Sequence, residues 1–139
     1  MRNRNTLGAL ISLSMGIAAM TAAGQSMAED AAGKAEYMVA CAGCHGESGK
    51  GQGPFSDVLN LEVPGLTGLA AANGGDFPYL EVFMVVDGRS GLRGHGGAMP
   101  IWGDRFSMSA REDFGKFGAE VVTRGRIAVL VDYLQTIQE

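Results

Sequence analysis

Cys41-Ala42-Gly43-Cys44-His45 is the stretch that decides how this chain is read. It holds both cysteines and one of the two histidines of a 139-residue sequence. Several chemistries use such a pair. A structural disulfide would close a very short loop, where the chain-entropy gain is small, and it gives His45 no part. A redox-active C-x-x-C pair needs a βαβ setting. The run entering Cys41, Ala31 to Ala40 (AAGKAEYMVA), is built instead from good helix formers. A zinc site needs four ligands, and Cys41, Cys44, His45 and His95 are the only Cys and His in the chain. Adjacent Cys44 and His45 have difficulty reaching one tetrahedral ion together.

The compartment bears on the choice. Met1 to Asn5 carries Arg2 and Arg4, and Leu7 to Met20 (LGALISLSMGIAAM) is an apolar run of signal-peptide length. Ser26 and Ala28 supply small residues at −3 and −1 of a cleavage site before Glu29. The alternative is a retained anchor, but the apolar stretch Leu7 to Ala23 includes Ser12, Ser14 and Thr21 and is only 17 residues long. That is the lower limit of a spanning helix, ~17–25 residues. Residues 1–28 are therefore expected to be a cleaved leader, leaving one domain over 29–139. Nothing later is long and apolar enough to span a membrane. In a bacterium the exported chain is expected in the periplasm, which is oxidising.

A fourth chemistry uses all of the motif. C-x-x-C-H is the attachment pattern of c-type haem: two thioethers hold the porphyrin so that the next side chain, His45, reaches the iron as proximal ligand. Export strengthens this reading, because c-type haem is attached outside the cytoplasm. One covalent haem c is the expected cofactor, held by Cys41 and Cys44.

A carrier iron takes a second axial ligand. Met84 lies in an apolar run and reads as core. Met108 lies in a polar stretch (FSMSARED). Met99 follows a glycine-rich loop and precedes Pro100, which stiffens the turn. His45 and Met99 are thus the expected metal ligands. His95 is the runner-up, or a loop histidine near a propionate. Leu66, Leu69, Phe83 and Met84 are expected to line the pocket. Trp102 is expected at the ring edge or on a propionate, and Arg89, Arg93 and Arg105 are candidate propionate partners or, equally, members of surface salt bridges.

The remaining pattern is short helices and long loops. Gly33 and Tyr37 share one face of the helix entering the motif. Gly46 to Gly53 (GESGKGQG) reads as a flexible loop, and Ser56–Leu61 as a short helical segment. Pro78 to Asp87 (PYLEVFMVVD) reads as a helix with Pro near its first turn and Gly88 at its end. Ala119 to Gln138 reads as the strongest helix, with Val122, Arg126, Val129, Leu130, Tyr133, Leu134 and Ile137 on or beside one face. No strands or internal repeats are evident. Long loops are unusual in so small a domain unless a buried group gives them something to wrap.

These residues resemble a class I monohaem cytochrome c of the bacterial periplasmic type, over about Gly33 to Gln138. Cys41 to Gly46 matches the haem motif in full. Gly33 with Tyr37, and Tyr133 with Leu134, match the two terminal helices, which cross in that family. Pro64-Gly65-Leu66-Thr67 looks like the turn whose proline carbonyl accepts a hydrogen bond from the proximal histidine, with Pro54 a lesser alternative. Met99-Pro100-Ile101-Trp102-Gly103 looks like the distal-ligand loop. The resemblance implies an all-α cytochrome c fold wrapped around haem, and one-electron transfer rather than enzymatic turnover. One departure is the segment Pro100 to Gly118, longer than in many small relatives. It reads as a solvated loop or short extra helix, and otherwise as a docking surface.

Composition sets the outer limits. With the leader gone, Arg2 and Arg4 go too, leaving 9 basic against 15 acidic side chains, a net of −6. That disfavours nucleic acid and anionic membrane surfaces as partners. With 46% apolar and 19% charged residues, the chain is too apolar for a disordered tail, and 22 glycines exclude a coiled coil. A mature chain of about 111 residues has a small core that a cofactor would help to stabilise. The expected role is a monomeric shuttle meeting redox partners transiently. The alternatives are a haem-bearing subunit of a dehydrogenase or oxidase complex, or a gas sensor or peroxidase-like enzyme with an open iron position.

Overall fold

The computed structural model describes residues 27–56, 58, 62–91 and 99–139. Residues 1–26 of the expected 1–28 leader, most of the Ser56–Leu61 segment, Arg93 and His95 lie outside the described residues. Every regular element among the described residues is helical. Helix α1 covers residues 27–40. After it come α2 (Ala42–His45), α3 (Leu69–Ala72), α4 (Tyr79–Asp87) and α5 (Trp102–Thr136). The fold is all-α, as expected from the sequence.

Local chemistry explains the ends. Pro78 caps α4 at its N-terminus, where a missing N–H costs nothing. Gly88 ends it with φ 68, and its N–H donates to the Met84 carbonyl. Helix α5 is two arms, 102–114 and 116–136, separated at Gly115 by a non-helical backbone (φ 64, ψ −177). A side chain is strained there, so a glycine marks the break. The segment Pro100 to Gly118 is therefore mostly an extra helical arm.

The second arm of α5 organises the core. Its buried stripe is Ala119, Thr123, Ile127, Leu130, Val131 and Leu134, while Val122, Arg126, Val129, Tyr133 and Ile137 are half-buried. The two stripes lie roughly 100° apart around the helix. The expected face was centred on the second. The helix is covered on both because α1 packs on one side and the rest of the core on the other. Where α1 crosses, a Cβ built on Gly33 would overlap the Val129 carbonyl oxygen and lie 2.8 Å from Tyr133 Cβ. The glycine lets two backbones touch. Tyr37, one turn on, is fully buried with its ring 5.4 Å from Tyr133. Beside them Arg126 grips Glu36 with both nitrogens of its fork (2.7 and 2.9 Å) and lies 4.0 Å over the Phe106 ring. That contact ties α1 and both arms of α5 together.

Candidate haem site

Helix α1 delivers the motif directly. Cys41 and His45 occupy the first turn after it, and both are buried, at 4% and 6% exposure. Cys44 is partly buried, and the two thiols are not bonded to each other. Burial, with lesser contributions from Cys44 and Glu36, pushes the Cys41 thiol up to about 12. A redox-active or zinc-binding cysteine needs a thiolate near neutral pH. Burial therefore holds Cys41 as a neutral thiol.

The glycine-rich stretch after the motif is a backbone pad, not the flexible loop its composition suggests. Gly51, Gly53 and Phe55 donate their N–H groups to the carbonyls of His45, Cys44 and Gly43, at 2.8, 3.0 and 2.8 Å. These are the orphan carbonyls of a helix end. A Cβ on Gly53 would lie 2.5 Å from the Gly43 oxygen, so only glycine packs this closely. Tyr37 Oη donates to the Gly46 carbonyl at 2.6 Å and pins the pad from the core side. Leu66 donates to Gly49 at 2.6 Å, laying the Pro64 turn onto the pad.

That turn brings the Pro64 carbonyl oxygen to 2.9 Å from His45 Nδ1. A carbonyl only accepts, so Nδ1 carries the proton and donates it. The lone pair of the neutral ring then belongs to Nε2, the tautomer a metal ligand requires.

His45 and Cys41 open on a cavity of about 340 Å³. Leu66, Leu69, Val82, Val85 and Val86 of α4 and Leu134 of α5 supply its apolar lining. Met99 lines the same cavity, so the structure brings the two expected iron ligands to one space. Asn73 and Glu81 are the polar side chains added to that lining. The volume falls in the range of small-molecule and cofactor sites. Cys41, an imidazole of the right tautomer and a thioether line an apolar cavity, and Cys44 stands next to His45 in the same short helix though not on that lining; this is the donor set a covalent haem needs, and the residues fit that group.

Other residues named from the sequence stand apart from this cavity. Phe83 and Met84 do not line the cavity; Val82, Val85 and Val86 do. Helix α4 is apolar nearly all round, so its sequence does not reveal which face looks inward. Trp102 is also absent from the lining. Its ring packs 5.7 Å from Phe106, with the Arg105 guanidinium 5.4 Å from it. Arg89 takes the salt-bridge alternative, with Asp87 and Glu120. Among the described residues no three His, Cys, Asp or Glu side chains form a metal-binding group, and no helix is long and apolar enough to cross a membrane.

Residues 31–138 match the family model for cytochrome c. The chain belongs to the cytochrome c family. Membership implies covalently bound haem c and haem-based electron transfer, which is generally not an enzymatic role. Comparison with curated proteins and with solved structures gave no match.

Proposed function

We propose that this chain is a class I monohaem cytochrome c, exported to the bacterial periplasm by a leader cleaved after Ala28, and that it works as a monomeric, diffusible one-electron carrier. Cys41 and Cys44 would hold one haem by thioether bonds, with His45 as proximal and Met99 as distal iron ligand. The observation that carries this is the shared cavity: Cys41, His45 and Met99 line it together, with Pro64 setting the histidine tautomer.

The group supplies a one-electron couple at its iron when bound. The protein's part is to keep that couple dry and rigid. The valines of α4, Leu66, Leu69 and Leu134 exclude water. The Pro64 carbonyl orients His45 and raises the electron density it offers. Met99 supplies a thioether, a ligand that raises the potential relative to a second histidine. A net charge of −6 on the mature chain steers encounters toward basic patches on donors and acceptors, and salt weakens that steering.

One observation favours a second reading, a haem-bearing subunit fixed in a dehydrogenase or oxidase complex. Around the Gly115 break, Phe114, Phe117 and Val121 are 59%, 87% and 72% exposed. A sensor or peroxidase-like role needs an open iron position, and Met99 in the cavity argues against it.

The test is the absorption spectrum and potential of the purified holoprotein beside those of Met99→Ala. The expected result is a sharp reduced α-band and an oxidised sulfur-to-iron charge-transfer band in the wild type. In the variant that second band is lost, the potential falls and the iron binds small ligands. An unchanged spectrum and potential in Met99→Ala would remove Met99 from the site.

A further inference from the structure

We propose that Arg89 is a positioning residue for Met99: with Asp87 and Glu120 it clamps the first turn of α5, four residues beyond Met99, against the helix that walls the cavity. The proposal rests on Met99 being the distal ligand.

Arg89 joins three parts of the fold. Its Nε donates to Asp87 Oδ1 and its Nη2 to Asp87 Oδ2 at 3.1 Å, at the end of α4. Its Nη1 donates to Glu120 Oε2 at 2.6 Å, on the second arm of α5. The Arg89 and Asp87 side chains are only 25% and 18% exposed. A planar fork gripping two carboxylates is a geometry that lysine cannot copy.

The first turn of α5 lies directly on this cluster. A Cβ on buried Gly103 would overlap Asp87 Oδ1 and lie 2.5 Å from Arg89 Nε and 2.7 Å from the Asp87 carbonyl oxygen. One residue pair away, a Cβ on Gly88 would lie 3.2 Å from Ile101 Cγ2. The N-cap residue of α5 is Ile101, which has no side-chain cap to give. Asp87 instead brings a carboxylate to that turn, where negative charge is favoured. Helix α4 supplies Val82, Val85 and Val86 to the cavity, and the backbone leaving Met99 is seated on the end of α4. The cluster thus sets the position of the thioether relative to the cavity wall. Arg126 anchors the same arm further along, at Phe106 and Ser109 (3.0 Å), and provides a control.

The experiment titrates ferric holoprotein with imidazole, which must displace Met99, and follows loss of the sulfur-to-iron band. Melting of each variant is measured in parallel. Arg89→Met is expected to bind imidazole about tenfold more tightly than wild type, about 1.4 kcal/mol. Arg89→Lys is expected to fall between them, and Glu120→Gln to move the same way if Arg89→Met does not fold. Arg126→Met is expected to lower the melting temperature while changing imidazole affinity less than about twofold. Equal affinities in wild type and the Arg89 and Glu120 variants would overturn the proposal, as would an equal effect of Arg126→Met. A wild type without the sulfur band, matched by Met99→Ala, would overturn it together with the ligand assignment. A band present in wild type and lost in Met99→Ala, with the Arg89 variants unchanged, would overturn this proposal alone.

Discussion

Gly33→Ala sets two physical effects against each other with opposite signs. In an isolated helix, alanine is better than glycine by about 0.8–1 kcal/mol. At this crossing the new methyl would overlap the Val129 carbonyl oxygen and sit 2.8 Å from Tyr133 Cβ and 2.9 Å from the Val129 carbonyl carbon. Two of those atoms are backbone, so no rotamer change relieves the clash. The helices must move apart. Overpacking of this kind costs about 1–3 kcal/mol, more where neighbours cannot yield, and separation also loosens the Tyr37–Tyr133 contact and the Arg126–Glu36 pair. Taking the upper end and subtracting the propensity gain leaves a net loss of about 2 kcal/mol. For a domain near 110 residues, about 4 °C per kcal/mol gives a fall of about 8 °C in melting temperature. The assay is a far-ultraviolet circular dichroism melt of the holoprotein and its variant under identical conditions. A variant melting at or above the wild type would refute the crossing.

Two further predictions concern pH. Burial raises the Tyr37 hydroxyl to about 12, so its contribution is fully present below pH ~10 and is lost as pH rises from ~10 toward 12. Tyr37→Phe should cost about 1 kcal/mol at neutral pH and flatten this alkaline loss in urea titrations; an unchanged alkaline limb would contradict it. Arg89 and Arg124 hold the Glu120 carboxyl down at about 2. Its contribution is present above pH ~4.3 and fades as pH falls toward 2. Because Glu120 is 39% exposed, solvent screening limits that contribution to about 1 kcal/mol at most. Glu120→Gln should therefore be less stable than wild type at pH 7 and nearly equal to it at pH 2, checked by urea midpoints at both.

What could be read from the residues follows the range of the interactions. The motif from Cys41 to His45 is contiguous, and its chemistry depends on order, so a single short stretch carried it. Gly33 with Tyr37 is a local pair whose spacing already implied a shared face. Pro78 and Gly88 bracket α4 because proline and glycine act on their own backbone. The inward face of α4 was not legible, since valine, phenylalanine and methionine on every side leave no moment to read. Thr123, Ile127 and Val131 lie outside the expected stripe of α5 for a similar reason: a helix covered on two sides has no single apolar stripe. The fates of Arg89 and Trp102 depend on Glu120 and Phe106, partners that only the tertiary structure brings into place. The glycine-rich pad is not legible because composition reports freedom in the unfolded chain, not the backbone contacts that glycine permits once folded.

Covalent haem attachment is tested most directly by the intact mass and peptide map of the purified protein, made in a host that attaches c-type haem and extracted with acidified acetone. The expected result is a chain beginning at Glu29 that keeps one haem through extraction, mapped to the peptide containing Cys41 and Cys44. A chain that releases all its haem, with Cys41 and Cys44 joined in a disulfide, would contradict it.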